Sequence, residues 1–221
     1  SGRARQWSQL AAAWARALSE HAAAVRVIGR SGVGKSRLVN ELRLGAQLRG
    51  ALVVETRAAP DDGQSYGVVR RWVQALHPLC RGQLDPEVER ELERFGSASL
   101  RRSPSEWTTA ALGGRLIDAV LTVVELAAHK KELVLLVEDE QWVDAASRSV
   151  IARLRRAIAE RPMGRLLLVC TERRDDAAAE TLDEEPIVLG PLDDAESRAL
   201  VLALLEPATL PDDVLTTMTT A

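Results

Sequence analysis

Residues 27 to 42, "VIGRSGVGKSRLVNEL", contain the segment that decides the fold. The fixed positions of the spacing G-x-x-x-x-G-K-[ST] are occupied here by Gly29, Gly34, Lys35 and Ser36. The apolar residues before this spacing, Val25 to Ile28, are predicted to form a buried strand, and the apolar residues after it recur at helical intervals. A strand, a glycine-rich loop and a helix in this order indicate a phosphate-binding loop.

The residue types of this loop suit a nucleotide. Glycines let successive backbone N–H groups point into one concavity, and the helix that begins near Lys35 adds the positive end of its dipole. Lys35 would reach the β- and γ-phosphates as a compact ammonium, and Ser36 would offer its hydroxyl to Mg²⁺. Lysine stands at only three positions of this arginine-rich chain, which argues against a chance match. The predicted nucleotide-binding residues of the loop are Gly29, Arg30, Ser31, Gly32, Val33, Gly34, Lys35, Ser36 and Arg37.

The composition limits the other classes of function. The chain has 221 residues, of which 46% are hydrophobic and 28% charged, as in ordinary soluble domains. A net charge of −3 argues against a surface built to neutralise nucleic-acid phosphates. The two cysteines, Cys80 and Cys170, suffice for neither a disulfide framework nor a metal cage, which favours a reducing cytoplasm. With no apolar run near the roughly 20 residues of a membrane span, we expect a cytoplasmic chain without membrane contact or direct nucleic-acid binding.

The order of the predicted elements indicates an α/β fold. A helical pattern covers Gln6 to Ala24, and a charged helix is expected from Pro86 to Arg94 within a helical insertion over residues 81–110. Short apolar runs separated by helical segments are typical of a parallel sheet covered on both faces. These predicted strands are Val25–Ile28, Leu52–Thr56, Leu133–Val137, Leu166–Val169 and Ile187–Leu189.

An acidic cluster follows one of these strands in "LVLLVEDEQWVD", residues 133 to 144. One carboxylate at such a strand end should bind Mg²⁺, and the next should polarise the attacking water. In one register Asp139 serves the metal and Glu140 is the base; in the other, Glu138 and Asp139 are the pair. Asp139 belongs to the site in both registers. The catalytic candidates are therefore Glu138, Asp139, Glu140 and Lys35, and the metal candidates are Ser36, Glu138 and Asp139.

The segment "EDEQWVD" closely resembles the ED-x-H-W-x-D signature of the signal-transduction ATPases with numerous domains, the STAND group within the AAA+ ATPases. Gln141 stands where that signature has histidine, while Trp142 and Asp144 match it and favour the Glu138–Asp139 register. Three further segments resemble the same family. Gly2 and Arg3 resemble the opening that packs beside the adenine, Thr171 and Arg173 lie in a sensor-like strand, and Pro191 matches the proline that meets the nucleotide.

The resemblance implies a P-loop NTPase fold, with a five-stranded parallel sheet of order 5-1-4-3-2 sandwiched by helices. Residues 1–191 would form the ATPase core, and residues 192–221 the start of a truncated helical lid, with helices from Asp194 to Leu205 and from Pro211. It also implies an ATP/ADP-binding switch with Mg²⁺ in a larger signalling or transcription regulator, whose C-terminal sensor and output domains are missing. Nucleotide-dependent self-assembly is compatible with it.

Slow hydrolysis is expected, because efficient P-loop ATPases complete the site with a positive group from a lid or a neighbouring subunit. Arg153, Arg155 and Arg156 are either such groups acting in trans or a solvated basic face. Two other classes of protein stay open: a DNA-associated AAA+ loader or initiator-like ATPase, and a small-molecule or nucleotide kinase. The net charge and the tryptophan motif count against the former, and "EDEQWVD" has no role in the latter.

Overall fold

The computed structural model of the chain describes residues 3–19, 21–60, 65–97, 110–174, 186–192 and 198. Six helices and five strands are described. The helices are α1 (Ala4–Leu18), α2 (Lys35–Leu48), α3 (Gly67–Cys80), α4 (Pro86–Ser97), α5 (Ala110–Lys130) and α6 (Ala145–Glu160). The strands are β1 (Ala23–Gly29), β2 (Leu52–Arg57), β3 (Leu133–Glu138), β4 (Leu166–Arg173) and β5 (Ile187–Leu189). A single 3₁₀ turn, Glu140–Trp142, follows β3.

The five strands form one sheet of order β2-β3-β4-β1-β5, in which all neighbours are parallel. This is the predicted α/β architecture with the predicted strand order. β4 lies between the strand that precedes the phosphate loop and the strand that precedes the acidic cluster, with Thr171 paired to Val27 of β1. Because the strands are parallel, their carboxyl ends meet at one edge of the sheet, where α/β proteins bind ligands.

Both faces of the sheet are covered by apolar layers. α3, α5 and α6 pack on one face, where Trp72, Leu135 and Leu154 are buried. α1 and α2 pack on the other face, with Leu42 and Leu136 buried. The neighbours Leu135 and Leu136 of β3 enter different layers, because successive side chains of a strand point to opposite faces. Burial on both faces explains why the strands read as continuous apolar runs.

The predicted first helix is too long at its C-terminal end. α1 ends at Leu18, and Ala23 and Ala24 belong to β1, where they pair with β4. Alanine is compatible with both a helix and a tightly packed strand, so the pairing with β4 decides between them. Three predicted strands are too short at their C-terminal ends. In the structure β2, β3 and β4 extend to the charged residues Arg57, Glu138 and Arg173.

The charged helix also continues beyond its predicted end, because α4 reaches Ser97. Leu92 and Phe95 of α4 are buried in the same layer as α3 and α5. The predicted insertion includes residues 98–109, which lie outside the described residues. Of the two helices predicted after residue 193, only residue 198 is described, and it is helical. The boundary between core and lid therefore stays a prediction. Within the described residues, none of the helices combines the length and apolar character that spanning a membrane requires.

Candidate functional site

The glycine-rich loop connects β1 to α2 with the backbone geometry that its glycines permit. Gly34 is the N-cap of α2 and has φ +103°, in the left-handed region that favours glycine. At Gly29, an added Cβ would lie 2.5 Å from the carbonyl oxygen of Leu189 in β5, so the close approach of the two strands requires glycine. A glycine cap brings no side-chain acceptor to the first-turn N–H groups of α2, which are the donors that bind phosphate at helix N-termini.

Lys35 is buried at the start of α2 and reaches back across the loop. Its Nζ donates to the carbonyl oxygens of Gly29 and Arg30, both at 2.8 Å. These two bonds hold the ammonium against the loop, where Lys35 lines the cleft described below. A compact ammonium can also donate to phosphate oxygens, which is the role predicted for Lys35 from the sequence.

Ser36 and Glu138 meet at the carboxyl edge of the sheet, although 102 positions separate them. The Ser36 hydroxyl donates to Oε2 of the buried Glu138 at 2.7 Å. The Arg57 guanidinium donates to the same oxygen through Nη2 at 2.9 Å, and this carboxylate raises the pKa of Arg57. Hydroxyl and carboxylate oxygens are hard donors of the kind that Mg²⁺ takes together with phosphates and water, so these residues fit that ion.

Asp139 turns the chain at the end of β3. Its φ of +60° is left-handed, a conformation that aspartate adopts more readily than most residues. Its backbone N–H donates to Oγ1 of the buried Thr171 at 3.0 Å, and its carboxylate lies 3.3 Å from Nε of Arg173. The side chain of Gln141 is held between the same two segments, since its Nε2 donates to Asp139 and its Oε1 accepts from the N–H of Arg173. The sensor-like strand and the acidic turn are therefore in direct contact.

Glu140 is buried in a different environment from Glu138 and Asp139. Its two carboxylate oxygens accept from Nη1 and Nη2 of Arg155 in α6, both at 2.8 Å. Arg26 of β1 lies 3.9 Å from Glu140 and also bonds to Glu172 of β4. Arg155 is thus half-buried in an ion pair with Glu140 rather than part of a solvated basic face, while Arg153 and Arg156 of the same helix are exposed.

A cleft of about 320 Å³ opens at the loop. It is lined by Ser31, Gly32, Gly34, Lys35, Ser36, Arg37, Arg57, Asp139 and Arg173. Of the three acidic candidates, Asp139 lines the cleft, Glu138 is bonded to two lining residues, and Glu140 points to its partner in α6. Arg57 is a lining residue that the sequence analysis missed. It directly follows the predicted strand Leu52–Thr56, and its place at the carboxyl end of a parallel strand was the available signal.

Arg3 joins the N-terminal segment to the loop. Its Nη2 donates to the carbonyl oxygens of Val33 at 2.9 Å and of Gly190 at 2.7 Å. Gly190 is the residue before Pro191. The segments around Arg3 and Pro191, which both resemble nucleotide contacts of a known family, therefore lie beside the loop. Pro191 itself is exposed, and Gly2 lies outside the described residues.

A comparison with protein families finds a match that covers most of this chain. The family model described as "AAA ATPase domain" matches residues 1–169. An uncharacterized protein of Rhizobium meliloti (strain 1021) is 26% identical over an alignment that covers 86% of this chain. That alignment covers 20% of the Rhizobium protein, so the chain spans about a fifth of its length.

The solved structures that are similar to this chain include the two that follow. The Aeropyrum pernix ORC1 protein, solved in complex with DNA, superposes on 98% of this chain and 53% of its own with a TM-score of 0.53 and 18% identity. That likeness shows the shared fold. C. elegans PCH-2 covers 95% of this chain and 52% of its own at 14% identity, with a TM-score of 0.43. The chain spans about half the length of each of these two proteins.

Proposed function

The chain belongs to the AAA ATPase domain family, and from that premise we propose that it is an ATP- and ADP-binding switch module of a larger signalling or transcription regulator. The contact between Ser36 and Glu138 carries the proposal. A hydroxyl from the phosphate loop and a carboxylate from another strand meet within 2.7 Å, beside a lysine held across the same loop. This is the donor set expected around the metal and phosphates of a bound nucleotide.

The residues at and beside the cleft have separate roles in this proposal. Lys35 and the first-turn N–H groups of α2 bind the β- and γ-phosphates, and Ser36 and Glu138 hold Mg²⁺. When bound, Mg²⁺ neutralises phosphate charge and orients the phosphate oxygens. Asp139, at the mouth of the cleft, positions and polarises the attacking water. Thr171 and Arg173 couple that aspartate to β4, which lets the sensor-like strand respond to the terminal phosphate.

We also propose that hydrolysis is slow. Arg57 is bonded to Glu138 at 2.9 Å, and Arg173 lies 3.3 Å from Asp139. Each of these carboxylates offsets part of the positive charge that would otherwise stabilise the transferred phosphoryl group. A slow ATPase is suited to a switch, since the bound nucleotide persists long enough to favour one arrangement of attached domains.

The signalling role rests on the resemblance to the STAND ATPases at Glu138, Asp139, Trp142 and Asp144. The DNA seen with the ORC1 protein is a property of that protein, and the likeness to it concerns the fold. The net charge of −3 is not the positive excess that non-specific binding to the phosphate backbone of DNA requires. We therefore do not propose DNA binding.

Replacing Lys35 tests nucleotide binding. Lys35→Ala should weaken Mg-ATP binding at least tenfold, or about 1.4 kcal/mol, because the ammonium contact with the phosphates is lost. Lys35→Arg should also weaken it, since a planar guanidinium cannot occupy the same position. Calorimetric titration gives the affinities, and circular dichroism checks that each variant is folded.

Lys131→Ala is the matched control, since Lys131 is exposed after the end of α5. It should leave the affinity for Mg-ATP unchanged. If Lys35→Ala and Lys131→Ala both bind Mg-ATP as tightly as the unaltered chain, the phosphate-loop role of Lys35 is wrong.

A further inference from the structure

We propose that Arg57 contacts the γ-phosphate of a bound nucleoside triphosphate and makes the site prefer ATP to ADP. This inference rests on the proposed function and deepens it, because it names the residue that distinguishes the two nucleotide states. None of the motifs quoted above includes Arg57. The residue stands at the end of β2, a strand to which the sequence analysis assigned no chemistry.

The position of Arg57 relative to the phosphate loop is fixed by Glu138. Arg57 is the last residue of β2 and pairs in register with Glu138, the last residue of β3. Its Nη2 and the hydroxyl of Ser36 donate to the same oxygen, Oε2 of Glu138, at 2.9 and 2.7 Å. The guanidinium is therefore only two hydrogen bonds away from the serine that would bind the metal, and it lines the same cleft as Lys35.

This position corresponds to the terminal phosphate. In a phosphate loop the backbone N–H groups surround the inner phosphates, while the lysine and the serine-bound metal reach the β- and γ-phosphates. The γ-phosphate lies between the loop and the acidic strand, because residues of that strand position the water that attacks it. β2 is the neighbour of the acidic strand in this sheet, so a cation at its carboxyl end faces the γ-phosphate.

The Arg57 side chain retains the capacity for this contact. A guanidinium carries five N–H donors in a planar fork that fits phosphate oxygens, and one of the five is directed at Glu138. The side chain is 60% exposed, whereas that of Glu138 is 7% exposed, so the outer face of the guanidinium is accessible from the cleft. A phosphate oxygen can thus be bound while the bond to Glu138 is kept.

A competing explanation is that Arg57 only orients Glu138. In that case its loss would disturb Mg²⁺ binding, which accompanies both nucleotides, and would weaken ATP and ADP alike. A contact with the γ-phosphate affects the triphosphate alone. The ratio of the two affinities therefore separates a phosphate contact from an orienting role.

The experiment is a calorimetric titration of the full chain with Mg-ADP and with a Mg-bound, non-hydrolysable ATP analogue. Arg57→Ala should weaken the analogue at least tenfold and ADP less than about twofold, so that most of the preference for the triphosphate is lost. Arg57→Lys keeps the positive charge but lacks the planar fork of donors. Its affinity for the ATP analogue should lie between those of the unaltered chain and Arg57→Ala. Unfolding in urea verifies that each variant retains its fold.

Arg161→Ala is the matched control. The Arg161 side chain is 46% exposed and paired with one carboxylate, that of Glu125 at 2.5 Å, and Arg161 is not among the residues that line the cleft. It should change neither affinity. An unchanged ratio of affinities in Arg57→Ala, with nucleotide binding intact in the unaltered chain, would overturn this inference alone. An unaltered chain that binds neither nucleotide would overturn the proposed function and this inference with it.

Discussion

At the end of β3, three consecutive acidic side chains have three different sets of partners. Glu138 accepts from Ser36 and Arg57, and the Asp139 carboxylate contacts Gln141 and Arg173. Glu140 is paired with Arg155 of α6. Asp139, with its left-handed φ, lies between the end of β3 at Glu138 and the 3₁₀ turn that begins at Glu140, so the three residues belong to different local structures. Proximity in sequence thus does not imply a shared chemical role here.

Substitution of the acids one at a time should separate catalysis from stability. Asp139→Asn should abolish ATP hydrolysis while Mg-ATP still binds, because the amide cannot polarise water as a carboxylate does. Glu140→Gln should leave hydrolysis per folded molecule nearly unchanged. It should lower the free energy of unfolding by about 3 kcal/mol, because the half-buried Arg155 loses its charged partner. Phosphate release and urea unfolding measure the two effects.

The double variant Glu140→Gln, Arg155→Gln is the control for the stability effect. Its loss of free energy of unfolding should be smaller than the sum of the losses in the two single variants, since both charges of the pair are removed together. A loss of hydrolysis confined to Glu140→Gln would show that Glu140, and not Asp139, is the base.

Part of this site could be predicted residue by residue. The phosphate loop has a local spacing whose chemistry is fixed by a few residue types, and Asp139 belonged to the site in either register. The partner of Glu140 could not be predicted, because α6 carries several arginines and only the packing of α6 on the sheet selects Arg155. Arg57 was missed for a similar reason: its contact with Glu138 arises from the pairing of β2 with β3, which no local pattern encodes.

At the scale of elements, Asp144 joins the two helices that follow β2 and β3. It is the N-cap of α6, where its side chain accepts from the N–H of Ser147 at 2.8 Å. The same carboxylate accepts from the N–H groups of Tyr66 at 2.9 Å and Gly67 at 3.1 Å at the start of α3. One side chain therefore satisfies backbone donors at the N-termini of two helices, which gives the last aspartate of "EDEQWVD" a structural role.

Removing Asp144 should destabilise the chain without changing the site. Asp144→Ala leaves three backbone N–H groups without their acceptor, so we expect the free energy of unfolding to fall by about 2 kcal/mol. Asp118→Ala, which removes an exposed carboxylate from the surface of α5, should cost less than about 0.5 kcal/mol. Urea unfolding of both variants measures the difference. Equal stability of the two would contradict the double-capping role.

The accuracy of the predicted element boundaries depended on how much of each element is apolar. The apolar segments of all five strands were predicted. Burial on both faces gives β3 and β4 a continuous apolar run, whereas Val188 of the edge strand β5 is exposed. The ends of β2, β3 and β4 were missed, since they carry the charged residues Arg57, Glu138 and Arg173, which form ion pairs at the cleft instead of joining an apolar layer. The predicted boundary between α1 and β1 was wrong for a different reason: the consecutive alanines there fit a helix as well as a strand.

At the scale of the whole molecule, the order of the strands was available only through a family resemblance. Periodicity predicts which segments are strands, but all orders of five parallel strands present similar apolar runs. The same limit applies to the function. The cleft and the family support an ATPase domain, whereas the STAND subtype and the attached domains stay predictions, since the relevant relatives are only partly covered by this chain.

The balance of charges around the cleft leads to a prediction about turnover. The cleft contains Arg57 and Arg173, but each contacts a carboxylate at the end of β3, so we expect each to neutralise the phosphoryl group only in part. Phosphate release should therefore be far below the usual enzyme range of about 1 to 10³ per second. If an arginine of a neighbouring copy completes the site, turnover per molecule should rise with protein concentration, because such groups are worth about 10³ to 10⁵ in rate.

Steady-state phosphate release measured over a wide range of protein concentrations tests this balance, with and without an excess of EDTA to remove Mg²⁺. Chelation should abolish the activity, since the residues around Ser36 and Glu138 cannot alone neutralise a triphosphate. Fast turnover that is independent of concentration would mean that Arg57 and Arg173 leave their carboxylates when nucleotide binds and complete the site internally. The chain would then be an ordinary ATPase, and the proposal of a slow switch would be wrong.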